Sequence, residues 1–388
     1  MPGRKVPGLL DSMVSPDSGY AEMILKKRYR VSIDRVNGRF ISGWCFNRLR
    51  KDKPVSITIA ADEGVLGSLT NNGLRRDLLD LKLHPSGICG FDFSFPSTFD
   101  PAAFQFLHLY FDGQKTPVLS IACSEIEMLR ADLQRPICFM HIPKTAGTSF
   151  NAFARQCFAS ERFTTHIERL EPEARRKRAV EADYLSGHLI LGDLAALSTV
   201  HPGAAAGDPP FDFYAIIREP YAHLHSHLNY VKGVIAASRD EAHYEFKHNQ
   251  MIKSLSARLN EIDFDSLDEV VRWVEGLQGY ERDFFDNLQT RYFLDKRPEI
   301  VGQDNLAQAR DNLARFRLVG LTEQYDRFRE CFCSHLGLPA LEQPLKSNIS
   351  ESYRLFNPAD QQIRSALYPL VAFDLTLYHY VEQIFWQD

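Results

Sequence analysis

The sequence predicts two folded parts of different class: a β-sandwich module, then a three-layer α/β domain built on a parallel sheet. The first follows from period-2 alternation of apolar and polar residues in short runs through residues 30–122. The second follows from buried strands that alternate with longer helical patterns from about residue 124. A length of 388 residues also suits two domains. We expect a flexible N-terminal arm at 1–29, the β-sandwich at 30–123 and the α/β domain at 124–388.

The strand signals of the first module follow one another closely. Two alternating runs flank Asn37-Gly38, a dipeptide that favours the tight turn of a hairpin. The pattern returns around Glu63-Gly64, and "GFDFSF" and "FQFLHLYFDG" add further alternating runs. Trp44 either packs in the core of this module or offers its ring to a sugar, since an indole suits both places.

The pattern of elements changes near residue 124. "SEIEMLRADLQ" is typical of a linker helix and "ICFMHI" of a buried strand, after which a helix is predicted at 148–158. "DYLSGHLILG" and "FDFYAIIREP" are further strands that end in turns. The remaining helices are predicted at 221–232, 264–278, 280–294, 303–316, 323–336 and 358–386. Such alternation indicates a parallel sheet covered on both faces.

Composition and charge narrow the class of protein. Hydrophobic residues make up 44% of the chain, yet no apolar run reaches the roughly 18 residues of a membrane-spanning helix. Residues 1–125 hold 16 Lys and Arg against 13 Asp and Glu, net +3, and the remainder holds 29 against 37, net −8. Neither part is basic enough for general nucleic-acid binding. Seven cysteines without a dense framework favour reduced thiols and therefore a cytoplasmic location.

The loop after the first strand of the α/β domain has the properties of an anion site. "HIPKTAGTS" joins a buried strand to a helix, and Gly147 allows close approach of backbone to a ligand. Thr148 and Ser149 stand at the helix start, where N–H groups and the helix dipole favour an anion. Lys144 adds a positive charge, but it precedes the glycine, whereas the lysine of a nucleoside-triphosphatase loop follows its second glycine.

This stretch resembles the 5′-phosphosulfate-binding loop of sulfotransferases that use 3′-phosphoadenosine 5′-phosphosulfate (PAPS). The closest subgroup is the carbohydrate sulfotransferases similar to heparan sulfate 2-O-sulfotransferase and its bacterial relatives, over roughly residues 135–385. The resemblance implies a P-loop-like three-layer sandwich as catalytic domain, PAPS as donor, PAP as product and no metal. It also assigns the cofactor's phosphosulfate to one continuous set of residues: Lys144, Thr145, Ala146, Gly147, Thr148 and Ser149.

A second motif, "FYAIIREPYAHLHSHLNYV", fits the pattern R-x-P…S…Y of the same family. The resemblance assigns Arg218 and Ser226 to the 3′-phosphate, and Tyr230 completes the pattern as a packing residue. A guanidinium suits a phosphate because its N–H donors form a planar fork. A nucleoside triphosphatase usually ends such a strand in an Asp that holds Mg²⁺, so Arg218 argues against that class.

A hydroxyl acceptor must lose its proton as it attacks sulfur, so the site needs a general base. His188 follows Gly187 at the end of an apolar strand, where the resembled family also carries Gly-His. An imidazole with a pKa near 6.5 is suited to this task. His141 and Glu219 are the alternatives for the same role.

Two further stretches resemble parts of the same family. "FFDNLQTRYF" is either a segment that lines the acceptor or cofactor cleft or a helix with polar residues on its surface. "LKSNISESYR" resembles the late loop that covers PAPS. The candidate substrate-binding residues are Gln289 and Arg291, and the additional cofactor-binding candidates are Lys346, Ser347 and Asn348.

The sequence therefore predicts a PAPS-dependent sulfotransferase with Lys144 and His188 as catalytic residues. It transfers a sulfonate by in-line displacement to a hydroxyl group of a glycan or glycolipid. One alternative is a P-loop-type nucleotide kinase or triphosphatase. The other is a non-catalytic glycan-binding protein that uses the β-module.

Overall fold

The computed structural model describes residues 28–62, 64–129, 131–197, 211–237, 248–341, 355–356 and 360–386. Contacts divide the chain into two units, Met1–Leu129 and Arg130–Asp388. Residues 124–129, which the sequence analysis placed with the second domain, thus belong to the first unit. Within the described ranges no helix is long and apolar enough to cross a membrane.

The first unit contains two antiparallel sheets of four strands each, in the orders β1-β2-β6-β5 and β4-β3-β7-β8. The strands are β1 (Tyr29–Asn37), β2 (Phe40–Asn47), β3 (Ser56–Ala61), β4 (Gly64–Thr70), β5 (Gly73–Leu74), β6 (Ile88–Ser94), β7 (Phe106–Phe111) and β8 (Leu119–Ala122). Both predicted hairpins form, since Asn37 pairs with Phe40 and Ala61 pairs with Gly64 across their turns.

The two sheets share one apolar cluster. Ile41 and Phe91 of the first sheet and Ile57 and Leu109 of the second all belong to it, and each is almost fully buried. Trp44 is half-buried, and its ring stacks on Phe46 at a centroid distance of 5.7 Å. That contact favours packing over an open sugar-binding face for this indole.

The linker helix predicted from "SEIEMLRADLQ" is wrong for the residues that the structure describes. Only Cys123–Glu125 form a short helical turn. The carbonyl of Glu127 accepts a hydrogen bond from the Gly38 N–H at 2.7 Å, and the Leu129 carbonyl accepts one from the Arg39 side chain at 3.3 Å. These carbonyls bind the β1–β2 hairpin instead of N–H groups one helical turn later, so the segment stays irregular.

The second unit is built on a five-stranded parallel sheet in the order β10-β11-β9-β12-β13. Its strands are β9 (Ile137–Met140), β10 (Phe163–Thr164), β11 (Tyr184–Gly187), β12 (Asp212–Ile217) and β13 (Phe316–Leu321). Every residue of β9 and β11 is buried, and since side chains alternate between faces, both faces of the sheet are covered. The predicted mixed α/β class with a parallel sheet is confirmed.

Each of the seven helical segments predicted from residue 148 onward contains a helix, with two informative differences. Four helices, at 76–80, 172–181, 191–196 and 248–260, were not predicted. The helices of the described residues follow in chain order. They are α1 (Arg76–Asp80), α2 (Gly147–Ala154), α3 (Pro172–Glu181), α4 (Leu191–Ala196), α5 (Pro220–Ala237), α6 (His248–Asn260), α7 (Leu267–Glu275), α8 (Gly279–Phe285), α9 (Leu288–Tyr292), α10 (Gln303–Asn312), α11 (Tyr325–His335), α12 (Gln361–Leu367) and α13 (Ala372–Phe385). The predicted helix at 280–294 is divided into α8 and α9 because Asn287 takes a left-handed φ of 47°. The predicted helix at 358–386 is interrupted by a short turn around Pro369.

Candidate active site

Three neighbouring strand ends bring the predicted site together. β9 lies between β11 and β12, and the chain builds the sheet first on one side of β9 and then on the other. In an open parallel sheet, ligands bind in the crevice outside the carboxyl ends of the strands at such a reversal. The segments that leave β9, β11 and β12 begin at His141, His188 and Arg218.

The segment between β9 and α2 is shaped to present backbone N–H groups. Lys144 and Ala146 take left-handed φ values of 66° and 68°, which non-glycine residues rarely adopt. Thr145 between them is fully buried and donates its hydroxyl to the Ile142 carbonyl at 2.9 Å. Such a change of hand along the chain turns successive N–H groups toward one concave side, which binds anions. The first bond of α2 runs from the Phe150 N–H to the Ala146 carbonyl, so the N–H groups of 147–149 lie ahead of it.

Gly147 is required because the His141 ring lies against it. A Cβ atom at this position would come within 2.1 Å of His141 Cδ2, well inside contact distance. The ring is held from the other side by Asn151, whose amide lies 3.4 Å from His141 Nδ1 and accepts the Tyr184 hydroxyl at 2.7 Å. His141 is 3% exposed, and burial holds its pKa well below the usual range, so it is a support for the loop and not an accessible base.

Two cations converge beside this loop. Arg218 Nη1 lies 3.4 Å from the Lys144 carbonyl, and Lys144 Nζ lies 4.9 Å from the centre of the Tyr230 ring. Burial lowers the pKa of Lys144, and the charge of Arg218 lowers it further. Among the described residues no carboxylate pairs with either cation. The two charges repel each other and are poised to gain from an anion.

The sequence analysis placed Gln289 in a substrate cleft. In the structure this side chain instead holds the backbone of Arg218. It is 1% exposed. Its carbonyl oxygen accepts the Arg218 N–H at 2.8 Å, and its amide nitrogen donates to the Arg218 carbonyl at 2.9 Å. This two-point contact fixes the residue at the end of β12, so Gln289 is a positioning residue.

Asp374 at the start of α13 holds the short helix that carries Gln289. Its carboxylate accepts the N–H groups of Gln289 and Thr290 and the Thr290 hydroxyl, at 3.2, 2.7 and 2.7 Å. In return Asn287 accepts the N–H of Phe373 at 2.8 Å, so the two helix starts cap each other. Burial raises the pKa of Asp374 to about 6, against the lowering effect of these hydrogen bonds.

The prediction that Arg291 binds substrate is wrong. This side chain is 1% exposed, and all of its donors are used inside the unit. Its guanidinium pairs with Asp286 at 2.7 Å and with Asp283 at 2.9 Å. A buried charge with these partners organises the turn between α8 and α9 and is closed to a ligand.

One face of α5 contacts the anion loop. His223 donates from Nε2 to the Pro143 carbonyl at 2.9 Å, and the Lys144 ammonium lies over the ring of Tyr230. Ser226 lies three residues after His223 and four before Tyr230, which places it on the same helix face. Burial lowers the pKa of His223 to about 4, so it is a neutral structural histidine. Ser226 is half-buried.

His188 combines a fixed tautomer with a free nitrogen. Its Nδ1 lies 2.7 Å from the His141 carbonyl, and since a carbonyl only accepts, Nδ1 carries the proton. Nε2 therefore keeps its lone pair, the form that a general base needs. Burial lowers the pKa of His188, which favours the neutral ring, while the nearby Glu168 carboxylate acts in the opposite direction.

Glu219, the other candidate base, is occupied as a helix cap. Its carboxylate accepts the N–H of Ala222 at 2.7 Å in the first turn of α5. It also lies 3.9 Å from the Arg364 guanidinium. Of the three candidates for the base, Glu219 is thus engaged as a cap and His141 is buried against the loop, whereas Nε2 of His188 accepts no described hydrogen bond.

The sequence analysis missed Glu168 and His166. Glu168 accepts the backbone N–H of His188 at 3.0 Å and lies 3.1 Å from His166 Nδ1. Burial would raise the pKa of Glu168, but the bond to His166 and the neighbouring His188 lower it to about 2. A Cβ at Gly187 would stand 2.6 Å from Ile167 Cγ1 and 2.9 Å from this carboxylate, which explains the glycine before His188. The "HIER" string at 166–169 was the available signal, but it has no periodicity to mark it.

The candidates Lys346, Ser347 and Asn348 lie outside the described residues. All seven cysteines are described, and all are free thiols.

Comparison with protein-family models, with curated proteins and with solved structures gives no match for this chain.

Proposed function

We propose that the second unit binds PAPS and transfers its sulfonate group to a hydroxyl of a glycan or glycolipid. The observation that carries the proposal is the convergence of Lys144 and Arg218 on a loop that presents N–H groups, where no carboxylate of the described residues pairs with either cation. PAPS has anionic groups at its 5′ and 3′ positions, so two cations at neighbouring strand ends fit it. Lys144 and the N–H groups of 145–149 would hold the 5′-phosphosulfate, and Arg218 with Ser226 the 3′-phosphate.

We also propose that the parallel sheet is of the P-loop-like, three-layer kind. The anion loop follows the central strand β9 and leads directly into the N-terminus of α2. That arrangement aims the partial positive charge of the helix at the crevice above the sheet. It supports a phosphate-binding fold in which the lysine comes from the loop ahead of the glycine.

The residues of the chain can then be given separate tasks. Lys144 neutralises negative charge that develops on the leaving oxygen, and the fixed N–H groups of the loop assist it. His188 accepts the proton of the acceptor hydroxyl at Nε2, while the His141 carbonyl holds the Nδ1 proton in place. Bound PAPS supplies the sulfonate and leaves as PAP.

A nucleotide kinase or triphosphatase and a glycan-binding protein both account less well for Lys144, Arg218 and the anion loop. A kinase or triphosphatase needs an acidic residue at the end of β12 for its metal, where Arg218 stands and Glu219 caps α5. A purely glycan-binding protein gives no account of two cations beside an N–H-rich loop that lack a carboxylate partner in the part of the chain that the structure describes. Transfer of sulfonate uses all of them.

The test is transfer of label from PAPS by the full chain to a panel of oligosaccharides and small alcohols. We expect PAP release by the wild type. Lys144→Ala should lower the rate more than tenfold, which corresponds to about 1.4 kcal/mol of activation free energy, and should leave the melting temperature unchanged. Lys177→Ala is the matched control, because that lysine's side chain is 75% exposed on α3. Absence of PAP binding by calorimetry, or Mg²⁺-dependent ATP turnover, would refute the proposal.

A further inference from the structure

His166, Glu168 and His188 meet at the carboxyl end of β11. Each offers one ligand atom, and the three atoms lie within 4.8 Å of one another. Among the described residues this is the one group of three or more such side chains. We infer that these three side chains form a binding site for a divalent transition-metal ion of the zinc class. This inference does not depend on PAPS.

The ligand chemistry selects the class of ion. Two imidazoles and one carboxylate suit zinc, cobalt or ferrous iron, whereas magnesium and calcium prefer all-oxygen sites. His166 Nδ1 and Glu168 Oε1 are 3.1 Å apart. Two atoms bound to zinc at about 2.1 Å with a tetrahedral angle are roughly 3.4 Å apart, so an ion can replace this hydrogen bond with little movement. His166 then carries its proton on Nε2 and stays neutral.

The surroundings hold the ligands in place. His188 donates Nδ1–H to the His141 carbonyl at 2.7 Å, which leaves Nε2 for the ion. Metal-binding histidines typically donate their second nitrogen to a carbonyl or carboxylate in this way. Arg175 fixes the turn that carries Glu168, through bonds to the carbonyls of Ile167 at 2.9 Å and of Glu168 at 3.1 Å. These bonds hold His188 and the backbone at Glu168 in place before an ion binds.

Access and coordination number also agree. The side chains of His166 and Glu168 are 37% and 21% exposed, so an ion can enter from solvent. Three protein ligands leave one position of a tetrahedral ion for water. The site is thus open and exchangeable rather than a closed structural centre.

The ion would compete with the proposed base. An ion on Nε2 of His188 occupies the lone pair that accepts the proton of the hydroxyl acceptor. Zinc is therefore expected to inhibit transfer, and a chelator to restore it. This consequence rests on the proposed function, whereas binding of the ion does not.

The binding experiment uses the chelator-treated full chain, titrated with Zn²⁺ by calorimetry and with Co²⁺ by visible absorption. We expect one ion per chain, with affinity at least tenfold weaker for His166→Asn and for Glu168→Gln. His379→Asn is the control, because His379 also pairs with a carboxylate, Glu382 at 2.9 Å, and both side chains lie on the exposed side of α13. It should bind zinc as the wild type does.

His166→Asn changes a partly exposed side chain, so its folding is checked by its melting temperature without metal. Wild-type protein that binds neither ion, or a folded His166→Asn that binds as tightly as wild type, would overturn the site. Zinc-loaded protein that transfers sulfonate at the metal-free rate would overturn the expected inhibition, because Nε2 of His188 could not be both the metal ligand and the base. Failure of PAP binding in metal-free protein would refute the transferase proposal separately.

Discussion

The contact between Gln289 and Arg218 makes the sharpest prediction about the anion site. We consider Gln289→Leu, which keeps most of the buried volume but removes both hydrogen bonds to the Arg218 backbone. Each such bond contributes about 0.5–1.5 kcal/mol, so the pair is worth about 1–3 kcal/mol. If this energy positions Arg218 for the 3′-phosphate, affinity for PAP falls by roughly 5- to 150-fold.

The assay is calorimetry with PAP and with adenosine 5′-phosphosulfate, which has no 3′-phosphate. We expect Gln289→Leu to weaken PAP and to leave the second ligand nearly unchanged. In an Arg218→Ala background the same substitution should cost less than about 0.5 kcal/mol, since its target is gone. Gln308→Leu is the control, because the one described bond of that amide runs to Asp295 near the surface, at 3.1 Å.

Equal losses for both ligands would refute the reasoning, because Gln289 would then support the site as a whole. Equal losses with and without Arg218 would refute it too. A lowered melting temperature with unchanged PAP affinity would show that the clamp stabilises the fold and does not serve the anion site.

Three further predictions follow from the same geometry. Gly147→Ala should abolish PAP binding and lower the melting temperature, because its Cβ would meet His141 at 2.1 Å, whereas Gly233→Ala has no atom within 4 Å and should not; matching melting curves would contradict this. The pKa of Asp374 is raised from 3.8 to about 6, so the stability that this group contributes is present below pH 4 and lost as pH rises through about 6. Relative to Asp374→Asn, the wild type should lose about 3 kcal/mol of unfolding free energy over that range in urea titrations, and a constant difference would contradict it. Residues 130–388 alone should fold and show a thermal shift with PAP, and insoluble or PAP-blind protein would mean that the first unit completes the site.

Periodic signals predicted the parts of the site that lie directly on strand ends. The apolar runs before His141, His188 and Arg218 marked three buried strands, and parallel packing then brings their ends to one edge. The glycine and hydroxyl residues at the start of α2 marked the anion loop in the same way. Local chemistry and periodicity suffice for such features.

Contacts between distant segments were not predictable in this manner. Gln289 and Arg291 lie on one short helix two residues apart, yet one holds the Arg218 backbone and the other a buried ion pair. Two polar residues at these positions are equally consistent with the lining of a cleft, so the sequence analysis assigned both residues to substrate binding. Glu168 reaches His188 across 20 residues, and no pattern in the chain encodes that contact.

In the proposed transferase, His141 belongs both to the part of the site that holds the donor and to the part that holds the acceptor. Its ring lies under Gly147 in the anion loop, and its carbonyl fixes the Nδ1 proton of His188. The positions of the two loops are therefore coupled through His141, and a substitution that shifts one loop is expected to shift the other. In the proposed transferase, differences in acceptor preference are then expected to come from segments that touch neither loop.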